Sequence, residues 1–114
     1  MTEAVAQVKL INQLKEYGFF WKASDRFRAG IPDIIGVVNG RFMAIEMKID
    51  YNTATPLQVH TLMQVIKNKG YAATVTYNNK KKMWWVREHG FTTPRLAAAY
   101  LVERSNSGKD EIQN

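Results

Sequence analysis

The stretch Asp33-Ile-Ile-Gly-Val-Val38, Asn39-Gly40, Arg41-Phe-Met-Ala-Ile-Glu-Met-Lys-Ile49 decides how this chain folds. Asn-Gly between two apolar runs is the strongest short-range signal for a two-residue hairpin, because both turn positions need a positive φ. Val38 then faces Arg41, each further pair lies one step out on both strands, and Asp33 falls directly opposite Glu46. Paired residues share a face, so Asp33, Ile35, Val37, Phe42, Ala44, Glu46 and Lys48 line one side. Ile34, Val38, Met43, Ile45, Met47 and Ile49 line the other. Apolar residues on both faces predict a hairpin inside a sheet that helices cover on both sides.

The pairing puts two carboxylates at the end of an apolar ladder, with Cβ atoms about 5 Å apart. Like charges at that separation repel by roughly 3 kcal/mol at an effective dielectric near 20. Either one carboxyl keeps its proton or a cation bridges the two. An all-oxygen pair suits Mg²⁺ or Mn²⁺, hard ions that keep several waters and lean on substrate phosphate. Lys48, two residues beyond Glu46, projects toward the same site. It is placed to help deprotonate an attacking water or to offset charge growing on a phosphate. A Glu-x-Lys on an exposed strand is ordinarily a solvated face, and the Asp directly opposite is what sets this one apart.

Outward from the hairpin, apolar Val5, Val8, Leu10, Ile11, Leu14 and Tyr17 recur at helical spacing between a Thr2 cap and Gly18. Phe19 to Lys22 reads as a short strand, followed by a loop to Pro32. Thr55-Pro56-Leu57-Gln58 carries the cap, the proline at the first helical position and the Gln of a capping box, and opens a second helix reaching about Lys69. Tyr71 to Tyr77 and Met83 to Val86 read as strands, and Thr93-Pro94 opens a third helix. The expected order is α-β-β-β-α-β-β-α, an α/β architecture with one domain over residues 1-104 and a polar tail over 105-114. Trp84 and Trp85 point to opposite faces, one to the core and one to an interface. Gly30 and Gly36 serve a turn and close packing.

At 114 residues the chain is long enough for one core, and with no cysteine it has neither disulfides nor thiolate metal sites. No apolar run reaches the length of a membrane span and no secretory signal opens the chain, which leads us to expect an intracellular, cytoplasmic protein without a membrane partner. Sixteen Lys and Arg against ten Asp and Glu leave a net charge of +6 and favour a polyanionic partner. His60 and His89 lack metal-ligand spacing, and no serine-histidine-aspartate motif is present.

Gly30-Ile31-Pro32-Asp33 followed by Glu46-Met47-Lys48 resembles the PD-(D/E)XK nuclease superfamily, whose restriction-endonuclease-like core is a mixed sheet flanked by helices. Glu3, the GIPD stretch, Glu46, Lys48, Gln58 and Gly70, in that order, resemble the virus-type replication-repair nuclease (VRR-NUC) family over residues 2 to 77. The resemblance implies metal-dependent hydrolysis of DNA phosphodiesters by an endonuclease that prefers branched or four-way DNA and acts as a homodimer in replication, repair or recombination. A viral or phage origin is compatible with it. It also implies Asp33, Glu46 and the Met47 carbonyl as ligands of Mg²⁺ or Mn²⁺, Lys48 as the residue assisting water, and Glu3 as a further contact to the metal or its water. For Glu3 the alternative is a helix-dipole partner. For Gln58 the capping box stands against a place near the scissile phosphate.

Arg26 and Arg28 flank Phe27 in the loop leading to Asp33 and can bring cations beside the site as DNA contacts. Lys80, Lys81 and Lys82 cluster at a turn, either as solubilising charge or as a second DNA contact. Two rival readings remain. A non-catalytic DNA-binding module on the same fold needs neither both carboxylates nor Lys48, and a structural scaffold whose carboxylates share a proton gains nothing from divalent ions.

Overall fold

The computed structural model describes residues 1–23 and 29–107. Three helices, α1 (Glu3–Leu14), α2 (Pro56–Lys67) and α3 (Pro94–Asn106), flank a six-stranded sheet. Its strands, β1 (Phe19–Lys22), β2 (Ile34–Val38), β3 (Arg41–Ile49), β4 (Tyr71–Asn78), β5 (Met83–Val86) and β6 (His89–Phe91), lie side by side in chain order. Only β3 and β4, joined through α2, run parallel; every other pairing is antiparallel. Among the described residues no helix is long and apolar enough to cross a membrane.

The hairpin register is the expected one. Asn39 and Gly40 both hold positive φ (52° and 77°), and the ladder runs from Val38↔Arg41 to Ile34↔Ile45. One sheet face, carrying Ile34, Val38, Met43, Ile45 and Met47, forms the main core with α1 and α3. The opposite face packs Ala44 and Ala72 against Leu62 of α2. These small alanines let α2 approach the start of β3 and β4, which leaves the later part of that face, from Glu46 onward, for polar side chains.

Four details differ from the sequence expectation. Helix α1 buries Ala6, Gln7, Leu10, Ile11 and Leu14, whereas Val5 and Val8 face outward and Tyr17 lies beyond its end. Two phases of apolar residues compete on this helix, and the one headed by small Ala6 wins because it allows the closest approach to the sheet. Helix α2 ends at Lys67 rather than about Lys69, and Lys69 itself takes the left-handed conformation with φ 71°. A sixth strand, His89–Phe91, extends the sheet; with three residues, one of them glycine, it carries little signal of its own.

The fourth concerns the tail. Ser105 and Asn106 belong to α3, and Ser105 is buried rather than solvated. Arg41 explains this: its guanidinium donates to the Ser105 carbonyl at 2.6 Å and to the Gly70 and Lys69 carbonyls at 3.0 Å each. One cation at the hairpin thus satisfies carbonyls left open at the ends of two helices.

Candidate active site

The site forms where β2 ends and β3 continues. In a two-residue hairpin the flanking pair exchanges backbone hydrogen bonds and the alternation carries on outward, so Met47 turns its N–H and C=O toward the β2 side. Opposite Met47 lies Pro32, which has no N–H to donate. Proline thus leaves the Met47 carbonyl without a backbone donor from that side, while the Met47 N–H donates to Asp33 Oδ2 at 2.8 Å. The Asp33 backbone carbonyl accepts from the Ala23 N–H at 2.9 Å and so faces β1. Gly30, with φ +85°, makes the turn before Asp33, and a Cβ there would come 2.7 Å from Leu57 of α2. That close approach brings the Asp33 turn against the helix that carries Gln58.

Glu46 is 1% exposed on the α2 face of the sheet. Its Oε1 accepts from Gln58 Nε2 at 3.0 Å, while Oε2 is buried with no hydrogen-bond partner. Burial is the first cause that pushes its carboxyl up to about 9, followed by the adjacent Asp33 carboxylate, against the opposing pull of Lys48. The Glu46 carboxyl therefore keeps its proton near neutral pH in the metal-free protein. Lys48, 9% exposed, follows on the same face. Glu3, at the head of α1, is also raised, by burial first and by Asp33 next, again opposed by Lys48. The expected Glu3, Asp33, Glu46, Met47, Lys48 and Gln58 are thus gathered at one place from four elements.

Gln58 forms the expected capping box and in addition reaches Glu46. Its backbone N–H donates to Thr55 Oγ1 at 3.2 Å and its Oε1 accepts from the Thr55 N–H at 2.8 Å, completing the capping box. The remaining amide nitrogen is the donor to Glu46. The Met47 side chain is fully buried in the core, so this residue meets the site through its backbone alone.

Among the described residues no three His, Cys, Asp or Glu side chains are close enough to hold an ion by themselves. The fit to a hard divalent ion rests instead on two carboxylates, one with a buried oxygen left unpaired, and on the Met47 carbonyl side of the strand. Such an ion would take the place of the Glu46 proton.

Lys80, Lys81 and Lys82 are exposed at the β4–β5 turn, and of the three Lys81 lines a cavity on the same sheet face as Glu46 and Lys48. Arg26 and Arg28 lie outside the described residues. Trp84 is buried in the core and Trp85 borders that cavity. Two buried polar residues escaped the sequence reading as site neighbours. Thr74 stands beside Glu46 on β4, and Gln7 lies one helical turn after Glu3; Thr74 Oγ1 and Gln7 Oε1 have no hydrogen-bond partner. A polar residue inside an apolar stripe was the available signal for Gln7.

The chain is similar to the 1.6 Å structure of Hjc from Archaeoglobus fulgidus, a Holliday junction resolvase from an archaeal hyperthermophile, with a TM-score of 0.59. The match covers 90% of this chain and 98% of that one at 14% identity. The fold is resolvase-like. At that identity the likeness speaks for the mixed sheet and its flanking helices, and the chemistry has to be argued from the side chains. No family model matches the sequence, and no curated protein does.

Proposed function

We propose that this protein is a Mg²⁺- or Mn²⁺-dependent endodeoxyribonuclease of the PD-(D/E)XK type, related to the VRR-NUC family, that cuts branched DNA as a homodimer. The observation that carries the reading is the buried Glu46 carboxyl with its unpaired Oε2, set opposite the part-buried Asp33 and followed on the same face by buried Lys48. A sheet end built for stability alone gains little from a buried carboxyl beside a second carboxylate and from a buried lysine. Asp33, Glu46 and the Met47 carbonyl would hold the ion, which when bound supplies charge neutralisation and a more acidic attacking water. Gln58 fixes the Glu46 carboxyl. Lys48 orients the water and keeps a positive charge beside the phosphate as its own charge grows.

DNA is the substrate favoured by the net charge of +6, with Arg26, Arg28 and the Lys80 to Lys82 turn as phosphate contacts. Pairing of two copies is favoured by an apolar row at the open β1 edge, on the site-bearing face. Phe19, Val37 and Phe42 stand side by side there, 71%, 41% and 39% exposed. Purified protein incubated with four-way, flapped, single-stranded and duplex DNA should cleave a branched substrate with Mn²⁺ or Mg²⁺ and none with EDTA. Tight binding with no cleavage under any divalent ion would instead favour the non-catalytic DNA-binding module.

A further inference from the structure

Beside the carboxylates, on the same face of the sheet, lies a cavity of about 490 Å³ to which neither the catalytic residues nor the fold assigns a role. Its floor includes Thr76, which pairs with Lys48 on one side and with Trp85 on the other. Two strand spacings, about 10 Å, therefore separate Lys48 from Trp85, a span that a nucleotide adjoining the cleaved bond can bridge. The cavity opens where β3 and β4 end, at the carboxyl ends of the parallel pair, where ligands of open α/β sheets gather.

Trp85 is built as a platform. It pairs with Gly90 on β6, and a Cβ at that glycine would meet ring atoms at 2.9 Å, so the indole lies over bare backbone and is held in place. Lys81 Nζ lies over the ring, 5.9 Å from its centroid, so a base stacking there displaces it toward the flanking phosphate, and Tyr51, 84% exposed, borders the opening from the β3–α2 loop. The lining is not a track for phosphates, because it also holds Asp50 and Glu88. Asp50 is committed to the Asn79 N–H at 2.7 Å and Glu88 is paired with its neighbours Arg87 and His89. Aromatic rings, hydroxyls and amides of mixed charge suit a neutral, flat group with donors and acceptors on its rim.

We infer that this cavity receives an unstacked base of the DNA strand next to the cleaved bond, stacked on Trp85 and covered by Tyr51, with Lys81 on the flanking phosphate. The inference rests on the nuclease reading and sharpens it: substrates with unpaired nucleotides at the cut are preferred over continuous duplex.

The test compares two DNAs of equal length and charge, one fully paired and one with a short unpaired bubble, by fluorescence anisotropy in EDTA. Wild type should bind the bubble about 5- to 100-fold more tightly, the range expected for stacking one base on an aromatic ring. Trp85→Leu and Tyr51→Ala should each lose most of that preference and keep the affinity for paired duplex. Equal binding of both DNAs by wild type, or variants that weaken both DNAs alike, would overturn the inference. Tyr51 makes no core contact, so Tyr51→Ala keeps the test decisive should Trp85→Leu fold poorly. Cleavage with Mn²⁺ is read separately: preference without cleavage leaves the base site standing and removes the nuclease, and cleavage without preference does the reverse.

Discussion

Glu46→Gln isolates the proton that the buried Glu46 carboxyl holds. Glutamine has the shape of a protonated glutamate, so it can accept from Gln58 Nε2 as the native carboxyl does and sets no second negative charge beside Asp33. In wild type the folded-state value near 9 lies above the ordinary 4.5, so between those values the folded protein binds one more proton than the unfolded chain. The stabilisation is complete below the ordinary value, is lost as pH rises, and levels off above the folded one. One proton corresponds to about 1.4 kcal/mol per pH unit, so going from about pH 6 to about pH 8 in EDTA should cost wild type about 3 kcal/mol. For a domain of this size that is on the order of 10 °C in Tm.

Glu46→Gln should flatten this dependence, and since every other titrating group is common to both proteins, the difference between their urea-unfolding curves reports the pair alone. Divalent ions should then stabilise wild type most at the alkaline end, where no proton has to leave, and should leave Glu46→Gln almost unmoved. Parallel pH profiles for the two proteins would refute the argument for a buried proton on Glu46. Equal Tm with Mn²⁺ and with EDTA at alkaline pH would refute the metal site.

Lys48→Ala should retain the Mn²⁺-induced rise in Tm and DNA affinity yet cleave at least about 100-fold more slowly, because its role lies in the transition state; single-turnover cleavage decides this. Gln58→Ala should cost about 1 kcal/mol through the lost cap and also slow cleavage. Gln58→Glu should regain the stability through a restored capping box while its added charge beside Glu46 keeps cleavage slow; full activity in Gln58→Glu would mean that Gln58 only caps. Arg41→Ala should lose about 2–4 kcal/mol by urea unfolding, since it strands carbonyls at the ends of two helices. At a temperature where the variant stays folded its cleavage rate should match wild type.

The hairpin and its carboxylates were legible without any structure. Asn39-Gly40 pins the register, strand geometry has a period of two, and together they place Asp33 opposite Glu46 and Lys48 on the face of Glu46. The Thr55-Pro56 start of α2 was legible for the same reason, since a cap and a proline act within one turn of chain. What local sequence could not decide was everything set by contacts between distant elements. Whether Val5 or Ala6 faces the sheet depends on how closely α1 can approach it, and both phases are apolar. Ser105 is buried because Arg41, far away in sequence, needs carbonyl partners. Gln58 had two competing local explanations, and only the packing of α2 on the sheet brings its amide to Glu46 while the cap stays intact. The carboxyl shift of Glu46 depends on burial from both sides, and the cavity at Trp85 depends on a β5–β6 pairing that puts a glycine beneath the ring. Residue types and short-range periodicity determined which groups this protein has and on which side of a strand they lie. Tertiary packing determined how dry they are and what they touch, because desolvation and long-range contact are properties of the assembled fold.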